Sequence, residues 1–280
     1  MPGSNARALE KARTLPADAL ILDLEDAVAP DAKEAARARV LEALAAGGYG
    51  RRELAVRANA LSSPWGRDDL AALARSGADA VVLAKAETGD EVREAAALLD
   101  AAGAPPGLAI WAMVETPRGV LAAAGIAGAH PRLACLVAGT SDLAKDLRAR
   151  HVPGRAPLLH ALSAMVLAAR AHGLAVLDGV HLDLEDDAGL AAACRQGAEL
   201  GFDGKTLIHP RQIAAANAAF APTAEEVAAA RRIADAHAAA LARGEAVAVV
   251  DGRLVEALHV EEALRTLALA EAVAAADGGG

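Results

Sequence analysis

Glu115 closes the run Ile110-Trp-Ala-Met-Val-Glu115, and Asp142 follows the next apolar run, Leu133 to Ser141. Successive side chains of a strand point to opposite faces, so Trp111, Met113 and Glu115 share one face while Ile110, Ala112 and Val114 share the other. Parallel strands lie about 4.8 Å apart, which lets carboxylates at neighbouring strand ends converge on one cation. Two carboxylates completed by water and substrate oxygens suit Mg2+, a hard ion that rarely takes an all-protein cage. The plainer structural alternative makes Glu115 and Asp142 helix caps or rim ion pairs.

Arg57 sits in Leu54-Ala-Val-Arg-Ala-Asn59, on one face with Ala55 and Asn59. An inward arginine needs an anionic partner. Asp23 and Glu25, which share a face with Ile21 in Leu20 to Asp26, can supply it as a buried ion pair. Glu25 and Asp26 are read as supporting groups that orient Arg57 and metal-bound water. Lys85 ends Val81-Val-Leu-Ala-Lys85 and is either a Schiff-base nucleophile or an ion-pair partner in the mouth of the site. The carboxylate pair, which offers a metal route, favours the second. Asp178, Lys205 and His209 stand near later strand ends, where structural duty explains each at least as well. The histidines show no His-x-x-x-His metal spacing. Asn5, in Pro2-Gly-Ser-Asn5, precedes a helix carrying Arg7, Lys11 and Arg13; it is an anion contact or simply a helix cap.

These residues need a scaffold that gathers strand ends. Apolar runs recur at Ala19 to Asp26, Leu54 to Asn59, Ala80 to Ala86, Ala109 to Pro117, Leu133 to Ser141, Ala175 to His181 and Gly204 to Pro210, giving seven candidate strands. Between them lie amphipathic stretches such as Pro30 to Ala45, Trp65 to Ser76, Asp90 to Ala102 and Pro157 to His172, so the alternation predicts a parallel sheet. In a parallel barrel, catalytic groups collect at the carboxyl ends of the strands, where the loops converge. Residues 1–221 form this unit. Residues 222–280 form a C-terminal extension: a helix from Ala224 to Arg243, a hairpin turning at Asp251-Gly252, and a last helix from about His259 to Ala275.

The net charge of −9, from 28 Lys plus Arg against 37 Asp plus Glu, disfavours nucleic acid and leaves an anionic substrate to local basic groups. Apolar residues reach 54% with only 2% aromatic, which favours many closely apposed Ala-rich helices over bulky core anchors. Cys135 and Cys194 lie far apart. With no signal-peptide pattern and no long uncharged apolar run, a cytoplasmic protein without membrane partners is expected.

Taken together, the segments Leu20-Ile-Leu-Asp-Leu-Glu-Asp26, Val56-Arg-Ala-Asn59, Met113-Val-Glu-Thr-Pro117, Gly139-Thr-Ser-Asp142 and Gly201-Phe-Asp-Gly-Lys-Thr-Leu-Ile-His-Pro-Arg-Gln-Ile213 resemble the citrate lyase β-subunit-like (HpcH-HpaI aldolase) family of CoA-ester lyases over nearly the whole chain. The resemblance implies a TIM-type (β/α)8 barrel whose first strand, expected just before Pro2, is missing ahead of Met1. It implies Mg2+ on Glu115 and Asp142, and Arg57 on the carbonyl or enolate oxygen of the substrate. It also implies CoA phosphates near Asn5, and a homo-oligomer, trimer or hexamer. The implied reaction is Mg2+-dependent cleavage or formation of a β-hydroxyacyl-CoA such as malyl-CoA or citramalyl-CoA, giving acetyl-CoA plus a 2-oxoacid. Alternatives on the same site are a malyl-CoA thioesterase and a carrier-dependent citrate lyase β-type subunit.

The chain departs from that family pattern in two places. Relatives carry roughly Gly-Lys-Met-Ile-Asp in the extension, with an aspartate that reaches a neighbouring subunit as acid or base; here Gly252-Arg-Leu-Val-Glu256 stands in its place. Glu256 keeps the carboxylate on a longer arm. Ser141 precedes Asp142 where many relatives have Glu, which bears on substrate preference more than on the metal.

Overall fold

The computed structural model describes residues 1–277. Seven strands, β1 (Ala19–Asp23), β2 (Glu53–Ala58), β3 (Ala80–Leu83), β4 (Ala109–Val114), β5 (Leu133–Ala138), β6 (Ala175–Asp178) and β7 (Gly204–Lys205), form one parallel sheet in chain order. Each lies within or one residue beyond its predicted apolar run, and most stop short of the run's end. The residues past the stop, such as 24–26 and 84–86, leave the ladder and become the loops of the mouth.

The strands alternate as their sequences require. Ala55, Ala80, Val82, Trp111, Met113, Cys135 and Val137 form one buried cluster, with Ala19, Ile21, Ala109 and Leu177 packed against it. A single cluster fed from β1 through β6 requires the sheet to curl around it. Glu115 and Arg57 continue the faces of Met113 and Ala55 by one step of two residues, so the curl aims both at the same end of this core. Beside β1, Pro2 makes a parallel bridge to Asp23. The Asp23 N–H donates to the Met1 carbonyl at 2.8 Å, and the Gly3 N–H donates to the Asp23 carbonyl at 2.8 Å. Residues 1–3 thus occupy the free edge of β1.

Helices cover the outside of the sheet. α1 (Ala6–Ala12), α2 (Lys33–Ala46), α3 (Gly66–Leu73) and α4 (Gly89–Ala101) follow the amino-terminal edge and the first three strands. The short α5 (Pro117–Leu121) and α6 (Ala123–Ala127) follow β4, α7 (Thr140–Asp146) and α8 (Leu159–Ala171) follow β5, and α9 (Asp187–Leu200) follows β6. Their starts are written locally: Thr88 and Glu91 close a capping box on α4, and Thr116 caps α5 with Pro117 at its first position.

Chain contacts divide the molecule into Met1–Ala216 and a second unit from Asn217 on. α10 (Ile213–Phe220) spans the boundary. Within the second unit, α11 (Ala224–Ala242) begins at a Thr223–Glu226 capping box, and β8 (Ala248–Val250) pairs antiparallel with β9 (Arg253–Val255). Asp251 and Gly252 both take positive φ, 50° and 76°, as a two-residue hairpin turn of the mirror-image kind demands. α12 (Ala257–Asp277) completes the unit around Ala240, Ala248 and Val255.

Candidate active site

The carboxyl ends of β1, β2, β3 and β4 bring five charged groups into one buried network. Arg57 lies against Asp23 in a two-point pair, Nε to Oδ1 at 2.7 Å and Nη2 to Oδ2 at 2.6 Å. Its remaining Nη1 meets Glu25 Oε2 at 3.1 Å and the Met113 sulfur at 3.6 Å. Burial pushes the Asp23 carboxyl up, yet the Arg57 guanidinium more than offsets this and holds it below the ordinary range. Burial alone would lower Arg57; Asp23 keeps it firmly charged. The same Asp23 oxygens accept the N–H groups of Glu25 and Ala27 at 2.9 and 3.1 Å, so one carboxylate both holds the guanidinium and folds the loop after β1.

Lys85 joins the other side of this network. Its ammonium is hydrogen-bonded to Glu25 Oε1 and stands 3.6 Å from Asp26, while Asp26 remains 56% exposed and 3.9 Å from Arg57. Burial would lower the Lys85 ammonium, but Glu25 drives it up to about 12. A Schiff-base lysine needs a lowered value, so the geometry is that of an ion-pair partner. Burial also raises Glu25, against the pull of Lys85 and Arg57. Lys85 carries a φ of 52°, costly for a residue with a Cβ, and its backbone N–H donates to Glu115 Oε1 at 2.9 Å.

Glu115 is 2% exposed. Burial is the largest influence on it, and the nearby Lys85 does not cancel it, so its carboxyl is pushed up to about 7. A carboxyl raised from the ordinary 4.5 to about 7 keeps its proton in the folded chain where the unfolded chain has lost it. That contribution to stability is complete below the unfolded value and disappears as pH rises through about 7. Metal-free protein should therefore lose about 3 kcal/mol relative to Glu115→Gln between roughly pH 4.5 and pH 8. Chemical denaturation of both across that range checks it, and parallel curves would refute it.

Gly139, between β5 and α7, is what gives Glu115 its place. A Cβ at Gly139 would lie 2.3 Å from Glu115 Cβ and 2.5 Å from Oε2. Its φ of −95° suits any residue, so the requirement is for space and not for backbone freedom. Three residues on, Asp142 lies in the first turn of α7 with its side chain 25% exposed and 3.7 Å from Lys145. The glycine thus ties the strand end that bears Glu115 to the helix start that bears Asp142. Gly139→Ala should displace Glu115 by about 1 Å and cut turnover on the order of 100-fold without loss of fold. Wild-type kcat in that variant would remove the glycine from the account.

Among the described residues no group of three or more His, Cys, Asp and Glu side chains is arranged to hold a metal. Two oxygen-bearing carboxylates at adjacent strand ends, one desolvated and poised to lose its proton to a cation, nevertheless fit Mg2+, which keeps several waters and takes one or two carboxylates from protein. Glu115 and Asp142 are therefore a fitting donor set.

The sequence model of the HpcH/HpaI aldolase/citrate lyase family matches residues 1–210. This chain belongs to that family. It is 50% identical over 275 residues to a (3S)-malyl-CoA thioesterase of Cereibacter sphaeroides strain KD131, covering 98% of this chain and 94% of that one. It is 38% identical to the citrate lyase subunit beta of Escherichia coli K12, covering 97% and 91%. Among solved structures, protein CitE of Mycobacterium tuberculosis in complex with magnesium, acetoacetate and coenzyme A matches with a TM-score of 0.77 at 33% identity, covering 97% of this chain and 96% of that one.

The other residues singled out in the sequence make the following contacts. Asn5 caps α1, its Oδ1 accepting the Ala8 N–H at 3.1 Å. Asp178 is buried and receives Arg155 at 2.7 Å and Lys205 at 2.9 Å, and burial lowers the Lys205 ammonium. His209 Nδ1 accepts the Arg211 N–H at 3.2 Å at the turn after β7. Glu256 is in the second unit, exposed just ahead of α12, with its N–H donating to His259 Nδ1 at 3.1 Å. Two groups of the network escape sequence reading. Gly139 carries only the weak signal of a glycine at a strand end, and Lys33, buried at the start of α2, reads as an ordinary solvated helix lysine.

Proposed function

We propose that this chain is a Mg2+-dependent enzyme acting on malyl-CoA or a close β-hydroxyacyl-CoA such as citramalyl-CoA, and that it ends in hydrolysis of the thioester. The observation that carries the substrate class is the pre-paired Arg57 beside the desolvated Glu115 at the mouth of a family sheet. The full-length 50% likeness to a malyl-CoA thioesterase favours hydrolysis. Carbon-carbon cleavage to acetyl-CoA plus a 2-oxoacid is the second reading, favoured by the 38% likeness to a citrate lyase subunit.

Glu115 and Asp142 hold Mg2+; when bound it supplies Lewis-acid polarisation of substrate oxygens worth several kcal/mol. Arg57 donates to the oxygen that gains negative charge, and because Asp23 and Glu25 already fix its guanidinium, no reorganisation is needed as that charge develops. Glu25, Asp26 and Lys85 keep the cationic and anionic groups of the mouth in register. Asn5 stands at the edge where CoA phosphates approach the basic residues of α1.

Glu256 moves the proton. In hydrolysis it takes one from the water whose oxygen bonds to the thioester carbonyl carbon, then returns that proton to the sulfur as the carbon-sulfur bond breaks, so that CoA leaves as the thiol. In cleavage Glu256 receives the hydroxyl proton as that group becomes the carbonyl of the 2-oxoacid, the carbon-carbon electron pair passes to the thioester as an enolate, and Glu256 returns the proton to the enolate carbon. Residues 1–221 act as a (β/α)8-type catalytic domain with residues 1–3 on the free edge of β1. Residues 222–280 carry Glu256 to a neighbouring subunit of a cytoplasmic trimer or hexamer.

Mass-spectrometric product analysis with malyl-CoA, citramalyl-CoA and Mg2+ tests this, with EDTA and Glu115→Ala as controls. Free CoA plus intact hydroxyacid, lost in both controls, supports hydrolysis. Acetyl-CoA plus glyoxylate or pyruvate establishes cleavage instead, product only with an added acyl-carrier protein makes the chain a carrier-dependent subunit, and no product on any thioester rejects the reading.

A further inference from the structure

Glu25 holds both cations of the mouth, so whatever fixes Glu25 fixes the mouth. Its carbonyl and that of Leu24 leave the ladder at the end of β1, where only the Leu24 N–H still bonds across, to the Arg57 carbonyl at 2.9 Å. Both carbonyls converge on one atom, Lys33 Nζ, at 2.9 Å for Leu24 and 2.7 Å for Glu25. Lys33 is 7% exposed, and its ammonium stands 5.6 Å from the centre of the Trp65 ring, which comes from the loop after β2. No carboxylate within ion-pair distance neutralises it among the described residues. An ammonium is costly to bury unless its donors are used, and here they are used on two main-chain carbonyls and an aromatic face.

We propose that Lys33 is a positioning residue of this site: its buried ammonium sets the bend at Leu24 and Glu25, and thereby places the Glu25 carboxylate between Arg57 and Lys85. Two carbonyls of adjacent residues meeting one donor require the chain to turn there, and Asp23 clamps the same turn from inside through the Glu25 and Ala27 N–H groups. The loop is therefore held on both sides, by an anion gathering its N–H groups and a cation gathering its carbonyls. Removing Lys33 leaves the Leu24 carbonyl unpaired and the Glu25 carbonyl with the Val28 N–H at 3.0 Å as its remaining donor, and the loop regains full satisfaction by turning toward water, which draws Glu25 off its cations.

The inference rests on the proposed function for its kinetic test and on geometry alone for its structural one. Lys33→Met is compared with wild type, Glu25→Gln and the double variant in malyl-CoA turnover at saturating Mg2+. The expected result is a 10- to 100-fold drop in kcat, about the size seen for groups that orient active-site ligands. KM should change little, and the double variant should be no slower than Glu25→Gln, because both changes act through one carboxylate. An unchanged kcat per folded protein, or losses that multiply in the double variant, would overturn the proposal. Where Lys33→Met does not fold, Lys33→Gln, which keeps an amide donor, takes its place. A crystal structure of the variant is independent of activity: Glu25 should be found outside ion-pair range of Arg57 and Lys85, and Glu25 still paired with both rejects the role. Wild-type protein inactive on every thioester tested would sink the proposed function, leaving the variant's structure to decide Lys33.

Discussion

Arg57→Lys is expected to lower kcat for malyl-CoA by about 100- to 1,000-fold, the loss that follows removal of one pre-aimed donor to a developing oxyanion. The charge survives the change; the geometry does not. Arg57 spends two nitrogens on Asp23 and presents the third to Glu25 and the open mouth, 3.6 Å from the Met113 sulfur. A lysine has one nitrogen and cannot hold the carboxylate from two points while serving an oxygen elsewhere. Arg57→Met is the poorer test, since it strands Asp23 as a buried charge at a cost of about 3–5 kcal/mol and confounds chemistry with folding. Steady-state kinetics beside a thermal melt settle the matter. A variant that melts like wild type and keeps more than a tenth of kcat, by the scale of donor loss given above, would show that Arg57 is a structural ion pair only.

Glu256→Gln should abolish turnover to about the background rate while Mg2+ binding, followed by calorimetry, is unchanged, because general acid-base groups contribute roughly 100- to 10,000-fold and this residue is not a metal donor. Glu256 is exposed in its own chain, in the unit that begins at Asn217. A carboxylate that works on a neighbour's site predicts complementation. Refolding equal amounts of Arg57→Lys and Glu256→Gln chains together should restore activity at about a quarter of the sites, those joining an intact Arg57 to a partner with an intact Glu256. Retained activity in Glu256→Gln alone removes the residue from the mechanism, and no recovery on mixing places it in the same chain as its Arg57.

The scaffold was readable because strand periodicity is a local property. The run Ile110 to Glu115 carries its own alternation, and the side chains it assigns inward, Trp111 and Met113, are those found in the interior cluster. The same reasoning carried Arg57 and the shared face of Asp23 and Glu25. It errs toward length: the runs ending at Asp26, Ala86 and Pro117 read as strand throughout, while β1, β3 and β4 end at Asp23, Leu83 and Val114. Side-chain hydrogen bonds to the backbone draw the chain away just past β1 and β3. Asp23 takes up the N–H groups of Glu25 and Ala27, and Glu115 takes that of Lys85. Hydropathy does not register such bonds, because an apolar residue in a loop looks the same as one in a ladder.

Asn5 shows the converse. A polar residue ahead of a basic helix fits an anion contact and a cap equally well in sequence, and only the 3.1 Å bond from Ala8 reveals the cap in use. Lys33 and Gly139 lie further still from sequence reading, since each acts on a residue distant along the chain, Trp65 for one and Glu115 for the other.

By itself the sequence determined seven alternating strands, the faces on which Arg57 and Glu115 ride, and the Asp251-Gly252 turn, all of which depend on neighbours within a few residues. Tertiary structure alone decided that Asp23 grips Arg57 at two points, that Lys85 adopts a left-handed backbone to serve Glu115, that Gly139 leaves room for that carboxylate, and that Lys33 is buried under the loop after β1. Those outcomes depend on how far each strand end bends and which strand lies beside it. For Arg57 and Lys85 the energy comes from desolvating charges among partners 30 or more residues apart, as between Arg57 and Asp23 or Lys85 and Glu115, and periodicity carries no record of that.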